Sequence, residues 1–245
     1  MYELLSKYQA AVRGLYEKVE ATQRENIVKA GEVIATCVAG GGAVHLSNIC
    51  HMIEYDLLNR GGGPAFYKRF DYKLNVDNGG VFPRDRSRVE KSIWGLARYA
   101  LQASSALPGD VIVVSSVSGR TANTVDLAWE AKKFGLKVIA LVSMEYANSV
   151  EAVHPSGRKL FEFADVTIDN CAPAAEAMIE YDGLDAKFAA ASGVSSAYIM
   201  WGVTAVAVEN LLQRGIKPGI YKSYNFPGGP EQGERVNREY KERGY

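Results

Sequence analysis

No stretch of this chain reaches the roughly 18 uninterrupted apolar residues of a membrane span. Residues 1–23 are amphipathic and mixed in charge, without the apolar core of a secretory signal. Neither charge is in excess: 28 Lys and Arg oppose 28 Asp and Glu. No global basic field is therefore available to hold nucleic acid or an anionic membrane, and a small anion would need a local site. Cysteine is scarce, with only Cys37, Cys50 and Cys171. An odd, widely spaced set reads as reduced thiols of a cytoplasmic protein rather than a disulfide framework. With no CxxC pair a zinc site is not expected, and the spacing of the three histidines (His45, His51, His154) does not diagnose any metal. GxGxxG and GxxxxGK[ST] are both missing, which disfavours a dinucleotide or nucleotide P-loop site. No cofactor is called for.

The 245 residues, 47% of them hydrophobic, can bury a sizeable core. They read as one domain over 1–245, with an N-terminal helical segment (1–31) and a C-terminal tail (217–245). Leu4, Leu5, Tyr8, Val12, Leu15, Tyr16 and Val19 recur at helical spacing, and Gly31 marks an end. The apolar run 33–38 reads as a first strand, broken by Gly40-Gly41-Gly42, and 45–59 as a helix. A possible strand lies near 72–76 and a helix at about 87–106. The β-branched run 111–114 reads as a buried strand, 121–134 as a helix stopped by Gly135, and 137–142 and 165–169 as further strands. A long helix spans about 195–214, followed by a tail with a Gly/Pro loop and a charged helix. Alternating strands and helices with near-continuous apolar strands predict a parallel sheet covered on both faces, whose ligands bind at the carboxyl ends of the strands. In this reading two loops qualify: 40–47, with Gly41, Gly42 and His45, and 115–121.

The second loop is the richer one. Ser116-Val117-Ser118-Gly119-Arg120-Thr121 follows a strand and opens a helix, so its N–H groups lack helical partners and the helix dipole favours an anion. Ser116, Ser118 and Thr121 add hydroxyls, Gly119 admits close backbone approach, and Arg120 adds charge. This suits a phosphate monoester. The alternative is a Ser/Thr capping turn without a ligand.

The segment 114–123, its following helix and the strand 137–142 resemble the signature of the SIS (sugar isomerase) domain family, whose Ser-Thr-Ser-Gly loop grips a sugar phosphate. Ser116, Ser118, Gly119 and Thr121 match that loop; Val117 departs from it. His154-Pro155-Ser156-Gly157-Arg158-Lys159-Leu160, 164–173, and Ser223-Tyr224-Asn225-Phe226-Pro227-Gly228-Gly229 resemble a stand-alone bacterial subfamily, as do His51-Met52-Ile53 and Arg60-Gly61-Gly62. The resemblance implies a three-layer α/β/α sandwich with a five-stranded parallel, flavodoxin-like sheet. It implies a homodimer or homotetramer with sites at subunit interfaces. It also implies amino-sugar metabolism, with dehydration of N-acetylglucosamine 6-phosphate as the associated reaction. Other family members are aldose–ketose isomerases, of the phosphoheptose type among them, or sugar-sensing regulators.

Dehydration and isomerisation of a sugar phosphate both begin with loss of the C2 proton to a base. His51 and Glu54, three apart, share one face of a helix; they read either as base (Glu54) and acid or ring-opening group (His51), or as a solvent-facing glutamate and a packed histidine. Asp56 lies off that face. Asp169 and Asn170 end a strand at the ligand edge, where they either hold sugar hydroxyls or shape the turn before Pro173. Glu176, Asn225 and Glu231 are weaker candidates, and Trp94, Trp129 and Trp201 read as core or interface. His154, in a polar turn, could approach the ligand.

Overall fold

The computed structural model describes residues 2–47, 56–80, 82–89 and 93–245. Five parallel strands, β1 (Val44–Ser47), β2 (Tyr67–Arg69), β3 (Val111–Ser115), β4 (Lys137–Val142) and β5 (Val166–Asp169), lie in the order β2-β1-β3-β4-β5. This is the flavodoxin-like order, with a switch point between β1 and β3 where the strand order reverses. The helices are α1 (Glu3–Ala39), α2 (Leu96–Ala103), α3 (Ala122–Phe134), α4 (Met144–Asn148), α5 (Ser192–Gln213) and α6 (Gly229–Arg243). A small antiparallel hairpin, β6 (Ala177–Ile179) with β7 (Phe188–Ala190), stands apart from the main sheet.

Side chains alternate across the sheet as a period of two requires. Val111 and Val113 of β3, with Ile139 and Leu141 of β4, pack on the α1–α5 face. Ile112, Val114, Val138, Ala140 and Val142 pack on the α2–α3 face. Both faces are thus covered, giving three layers. The apolar runs 111–114 and 137–142 are therefore strands buried on both sides, and α3 ends at Gly135 with φ +99°, as read from the sequence.

The first third differs from the sequence reading. Residues 33–38 are not a strand but the last turns of α1, in which Ala30, Gly31, Ile34, Ala35 and Val38 form one buried stripe. A short apolar run does not by itself separate a buried strand from a buried helix turn. Gly31 is not a terminator. A Cβ there would lie 2.6 Å from Val206 Cβ and 2.9 Å from the Val203 carbonyl of α5, so the glycine lets the two longest helices touch. Gly31→Ala should destabilise the fold by about 1–3 kcal/mol through overpacking, measurable as a lower urea midpoint at unchanged slope. The true first strand is 44–47, where a helix from residue 45 was expected. β2 lies at 67–69 rather than near 72–76, and α2 is shorter than the expected helix at 87–106.

The tail returns to the sheet edge. Ala65 N–H donates to Gly219 (2.8 Å), Gly62 N–H to Tyr221 (2.7 Å) and Tyr221 N–H to Gly63 (2.9 Å). From α6, Val236 is buried and the Tyr240 ring lies 3.4 Å beneath the Lys68 ammonium of β2. The tail thereby pairs with the chain entering the edge strand β2 and packs against it through Tyr240. Among the described residues no helix is long and apolar enough to cross a membrane.

Candidate functional site

The correction to α1 moves the glycine loop. Gly40 caps the carboxyl end of α1, and Gly41 and Gly42 lead into the amino end of β1, so they sit at the edge of the sheet opposite the carboxyl ends. His45 lies inside β1, buried, with Nε2 3.2 Å from Asp110 Oδ2. Asp110 also accepts the N–H of Ala43 (2.8 Å) and of Leu107 (2.9 Å), tying together the chain entering β1 and the chain entering β3. Gly41, Gly42 and His45 therefore belong to a structural knot, and the structure does not bring them to the 115–121 loop. His51 and Glu54 lie outside the described residues.

The 115–121 loop does occupy the carboxyl edge. Its conformation is fixed from inside: Ser116 N–H donates to Leu141 (3.2 Å), Gly119 N–H to Ser116 (2.9 Å), Ser143 N–H to Val117 (2.9 Å) and Leu160 N–H to Gly119 (2.8 Å). Its carbonyls are thus engaged, whereas the N–H groups of Val117, Ser118, Ala122 and Asn123 meet no acceptor among the described residues. Gly119 holds φ +64°, a region that costs a side chain strain. The Ser116 and Thr121 hydroxyls bond to each other at 3.1 Å, so Thr121, although the N-cap of α3, leaves the first turn uncapped. Arg120 is half-buried and makes no ion pair among the described residues. Free donors, an uncapped 13-residue helix and one guanidinium give this corner a positive potential suited to an anion. The substitution at Val117 removes a hydroxyl, but that side chain is buried in the core.

This corner opens onto two cavities that share Tyr72 and Asn123. The first, about 280 Å³, lies at the switch point between Ser47, Phe70, Asp71, Tyr72, Asn123, Thr124 and Leu127. The second, about 550 Å³, runs from Thr121–Asn123 past Tyr72–Asn75 to Ile93 and Leu96. Burial first, then the charges of Asp126 and Asp71, push the Tyr72 phenol up to about 12, so it remains an O–H donor at neutral pH. Ser47, Tyr72, Asn123 and Thr124 were missed in the sequence. Asn123 and Thr124 adjoin the recognised loop and could have been read from it. Nothing local marks Tyr72, which reaches the site only through the path of the chain after β2.

Asp169 and Asn170 are brought to the carboxyl edge but are engaged in holding backbone. Asp169 accepts the N–H of Met144 (3.0 Å) and Cys171 (2.8 Å). Asn170 is fully buried, with its carbonyl oxygen on Ala172 N–H (3.0 Å). Between holding sugar hydroxyls and shaping the turn, their contacts match the second. Glu176, at φ +74°, accepts the Ser192 hydroxyl and fastens the hairpin to the start of α5. Asn225 and Glu231 are exposed in the tail. His154 points into an aromatic box of Trp94, Trp129 and Phe163 rather than towards ligand. Trp201 faces a groove between α1 and α5.

A model of the SIS domain matches residues 7–143. The chain belongs to the SIS-domain family. It is 34% identical to a UPF0309 protein of Streptomyces griseus subsp. griseus over 98% of this chain and 96% of that relative. Among solved structures, the phosphoheptose isomerase GmhA of Neisseria gonorrhoeae superposes with a TM-score of 0.53 at 14% identity, covering 85% of this chain and 97% of that one. The Vibrio vulnificus NanR protein complexed with ManNAc-6P superposes with a TM-score of 0.50 at 13% identity, covering 99% and 70%. At such identities the superpositions speak for the shared SIS fold. The Streptomyces relative is matched over nearly its whole length, so the likeness extends past the SIS core to the 154–173 motifs and the tail.

Proposed function

We propose that the whole chain acts as one cytoplasmic SIS domain that binds an amino-sugar 6-phosphate and dehydrates it. The observation that carries the reading is the set of free donors at 116–123, opening onto cavities at the switch point of the sheet. Phosphate sits on the N–H groups of this corner, with Ser118, Thr121 and Arg120 around it, and the sugar extends towards Tyr72. The complex of the NanR protein with ManNAc-6P supports an amino-sugar phosphate on this fold. In the reaction Glu54 takes the C2 proton of the open-chain aldehyde. The C2–C3 double bond forms as the C3 hydroxyl, protonated by His51, leaves as water.

The phosphoheptose isomerase neighbour favours a second reading, in which the substrate is a 2-hydroxy aldose phosphate: the C2 proton is returned to C1, the C2 hydroxyl proton passes to the aldehyde oxygen, and no water leaves. Incubation with N-acetylglucosamine 6-phosphate and, separately, with a panel of 2-hydroxy aldose phosphates separates them by mass spectrometry. Loss of one water supports the lyase; unchanged mass with deuterium entering from heavy water supports the isomerase; binding without either makes the protein a sensor and overturns the enzymatic reading. Ser118→Ala should weaken phosphate binding about tenfold, the share of one hydrogen bond to a charged group, and an unaltered affinity by calorimetry would remove the phosphate from this loop.

The reading includes a homodimer or homotetramer. α5 carries a single charged residue, Glu209, yet its outer side, with Tyr198 and Leu212, is exposed, and Trp201 lines an apolar groove of about 530 Å³ against α1. A helix apolar all round calls for cover on every side. Sedimentation velocity should give at least twice the monomer mass, and Trp201→Glu should lower it; a monomeric wild type would refute this assignment.

A further inference from the structure

Besides Tyr72–Asn75, the larger cavity at the phosphate corner has two facing walls at helix starts from different parts of the chain. Ile93 and Leu96, at the start of α2, form one; Thr121, Ala122 and Asn123, at the start of α3, form the other. Only the second wall carries the donors read as the phosphate site, so the distance between the walls decides what is held beyond the phosphate.

A buried carboxylate spans the two. Asp126 lies on the second turn of α3 and is about 1% exposed. Its Oδ1 accepts the N–H of Gly95 at 2.9 Å, and its Oδ2 faces the N–H of Ala97 at 3.4 Å. These are backbone donors at the opening of α2, whose N-cap, Gly95, has no side chain to cap it. Asp126 thus performs the capping from a distance, and in doing so fixes Leu96 opposite Thr121–Asn123. An acidic group at this end of α2 is also favoured by its dipole.

Behind Asp126 stands His154. Its side chain is fully buried, with Trp94 and Trp129 each 5.0 Å away, edge to face. Nδ1 lies 2.8 Å from Ser156 Oγ and 3.2 Å from Ser156 N. A backbone N–H can only donate, so Nδ1 accepts, and the proton of the neutral ring is on Nε2. Nε2 is buried and has no hydrogen-bond partner among the described residues, but it points at Asp126 Oδ1 from 3.7 Å. This is beyond hydrogen-bond length and leaves a short approach that would complete it.

We infer that Asp126 is a positioning residue of the sugar-phosphate site, clamping the start of α2 to the start of α3, and that the Nε2–H of His154 backs its carboxylate. The pair touches no phosphate; it sets the width of the slot that receives the sugar. The inference rests on the functional reading above and sharpens it: the loop 116–121 recognises phosphate, and Asp126 with His154 makes the protein discriminate a sugar phosphate from phosphate alone.

The test compares two ligands. Calorimetry measures inorganic phosphate and the tightest of a panel of hexose and hexosamine 6-phosphates, N-acetylglucosamine 6-phosphate included. Asp126→Asn keeps size and one acceptor but sets an NH₂ group against the Ala97 N–H. It should weaken the sugar phosphate about tenfold and leave inorganic phosphate within about twofold. A general loss of structure would lower both together, and that result, or no change in either, would overturn the inference. Should Asp126→Asn not fold, the comparison passes to His154. His154→Phe fills the box without a donor and should weaken the sugar phosphate selectively, whereas His154→Gln restores an N–H and should recover most of the affinity; equal behaviour of the two overturns the role of Nε2. Ser118→Ala keeps the two levels apart: it should weaken both ligands, and if it weakens neither, the phosphate reading fails whatever Asp126 does. If no sugar phosphate in the panel binds better than inorganic phosphate, the slot holds no sugar and the inference fails with it.

Discussion

Replacing Glu54 by Gln is expected to lower turnover of the sugar phosphate by about a thousandfold while its dissociation constant changes by no more than about twofold. The size follows from the chemistry of the first step. A positioned base contributes roughly 10²–10⁴-fold to a proton transfer, and Gln has no basic oxygen to accept the C2 proton. Binding should persist because the donors read as holding the phosphate lie on another segment, 116–123. Stopped assays give the rate, and calorimetry on the inactive variant gives the affinity. Solvent deuterium exchange at C2 adds a readout specific to the first step. It should vanish with turnover in both the lyase and the isomerase, and exchange surviving in Glu54→Gln would assign the base to another residue. His51→Asn should act differently: if His51 protonates the departing C3 hydroxyl, the variant loses dehydration but retains exchange.

The second large effect concerns stability. Asp110→Ala should destabilise the fold by about 3–5 kcal/mol, because it leaves buried donors without their acceptor. Three groups on two segments depend on this carboxylate: Ala43 N–H, Leu107 N–H and the His45 ring. Both oxygens are in use and the group is about 4% exposed, so water cannot replace it cheaply. For a chain of this size such a loss lowers the melting temperature by roughly 10 °C. Asp110→Asn, which retains one acceptor, should fall between. A melting temperature unchanged in Asp110→Ala would mean that the entry to β1 and β3 is held by packing alone. The neighbouring Cys37 thiol is pushed up to about 11, by burial first and then by the Asp110 charge. It should therefore resist alkylation at neutral pH.

The sequence was most legible where one physical requirement dominated. β3 and β4 are buried on both sides, so each had to be an unbroken apolar run, and 111–115 and 137–142 could be read almost to the residue. α3 was legible for its two ends, a serine-rich entry and a glycine at φ +99°. Residues 33–38 were misread because Val33, Ile34 and Val38 satisfy a strand locally; only their continuity with Ala30 and Gly31, packed on α5, makes them a helix. That single error displaced the glycine loop to the wrong edge of the sheet and took Gly41, Gly42 and His45 with it. The 116–121 loop escaped because it lies between two correctly read elements. Tyr72 and Asp126 were invisible for a different reason. Their roles arise from contacts made across the fold, to Asn123 through a shared cavity and to Gly95 and Ala97 through hydrogen bonds, and no local pattern encodes such pairings. The β6–β7 hairpin, three residues a side, is too short to show a period.

The way the tail closes the sheet edge has a consequence for biosynthesis. β2 is made from residues 67–69, and the segments that cover its neighbourhood, Gly219 to Tyr221 and α6, are synthesised only after every strand of the sheet. α1 likewise waits for α5 to cover Gly31. Until those segments are made, one edge of the sheet and one face of its longest helix remain without their partners. Non-local closure of this kind is slow and leaves intermediates prone to association. Nascent chains stalled before residue 217 should therefore be the species that engages holding chaperones, and emergence of α6 the event that frees them.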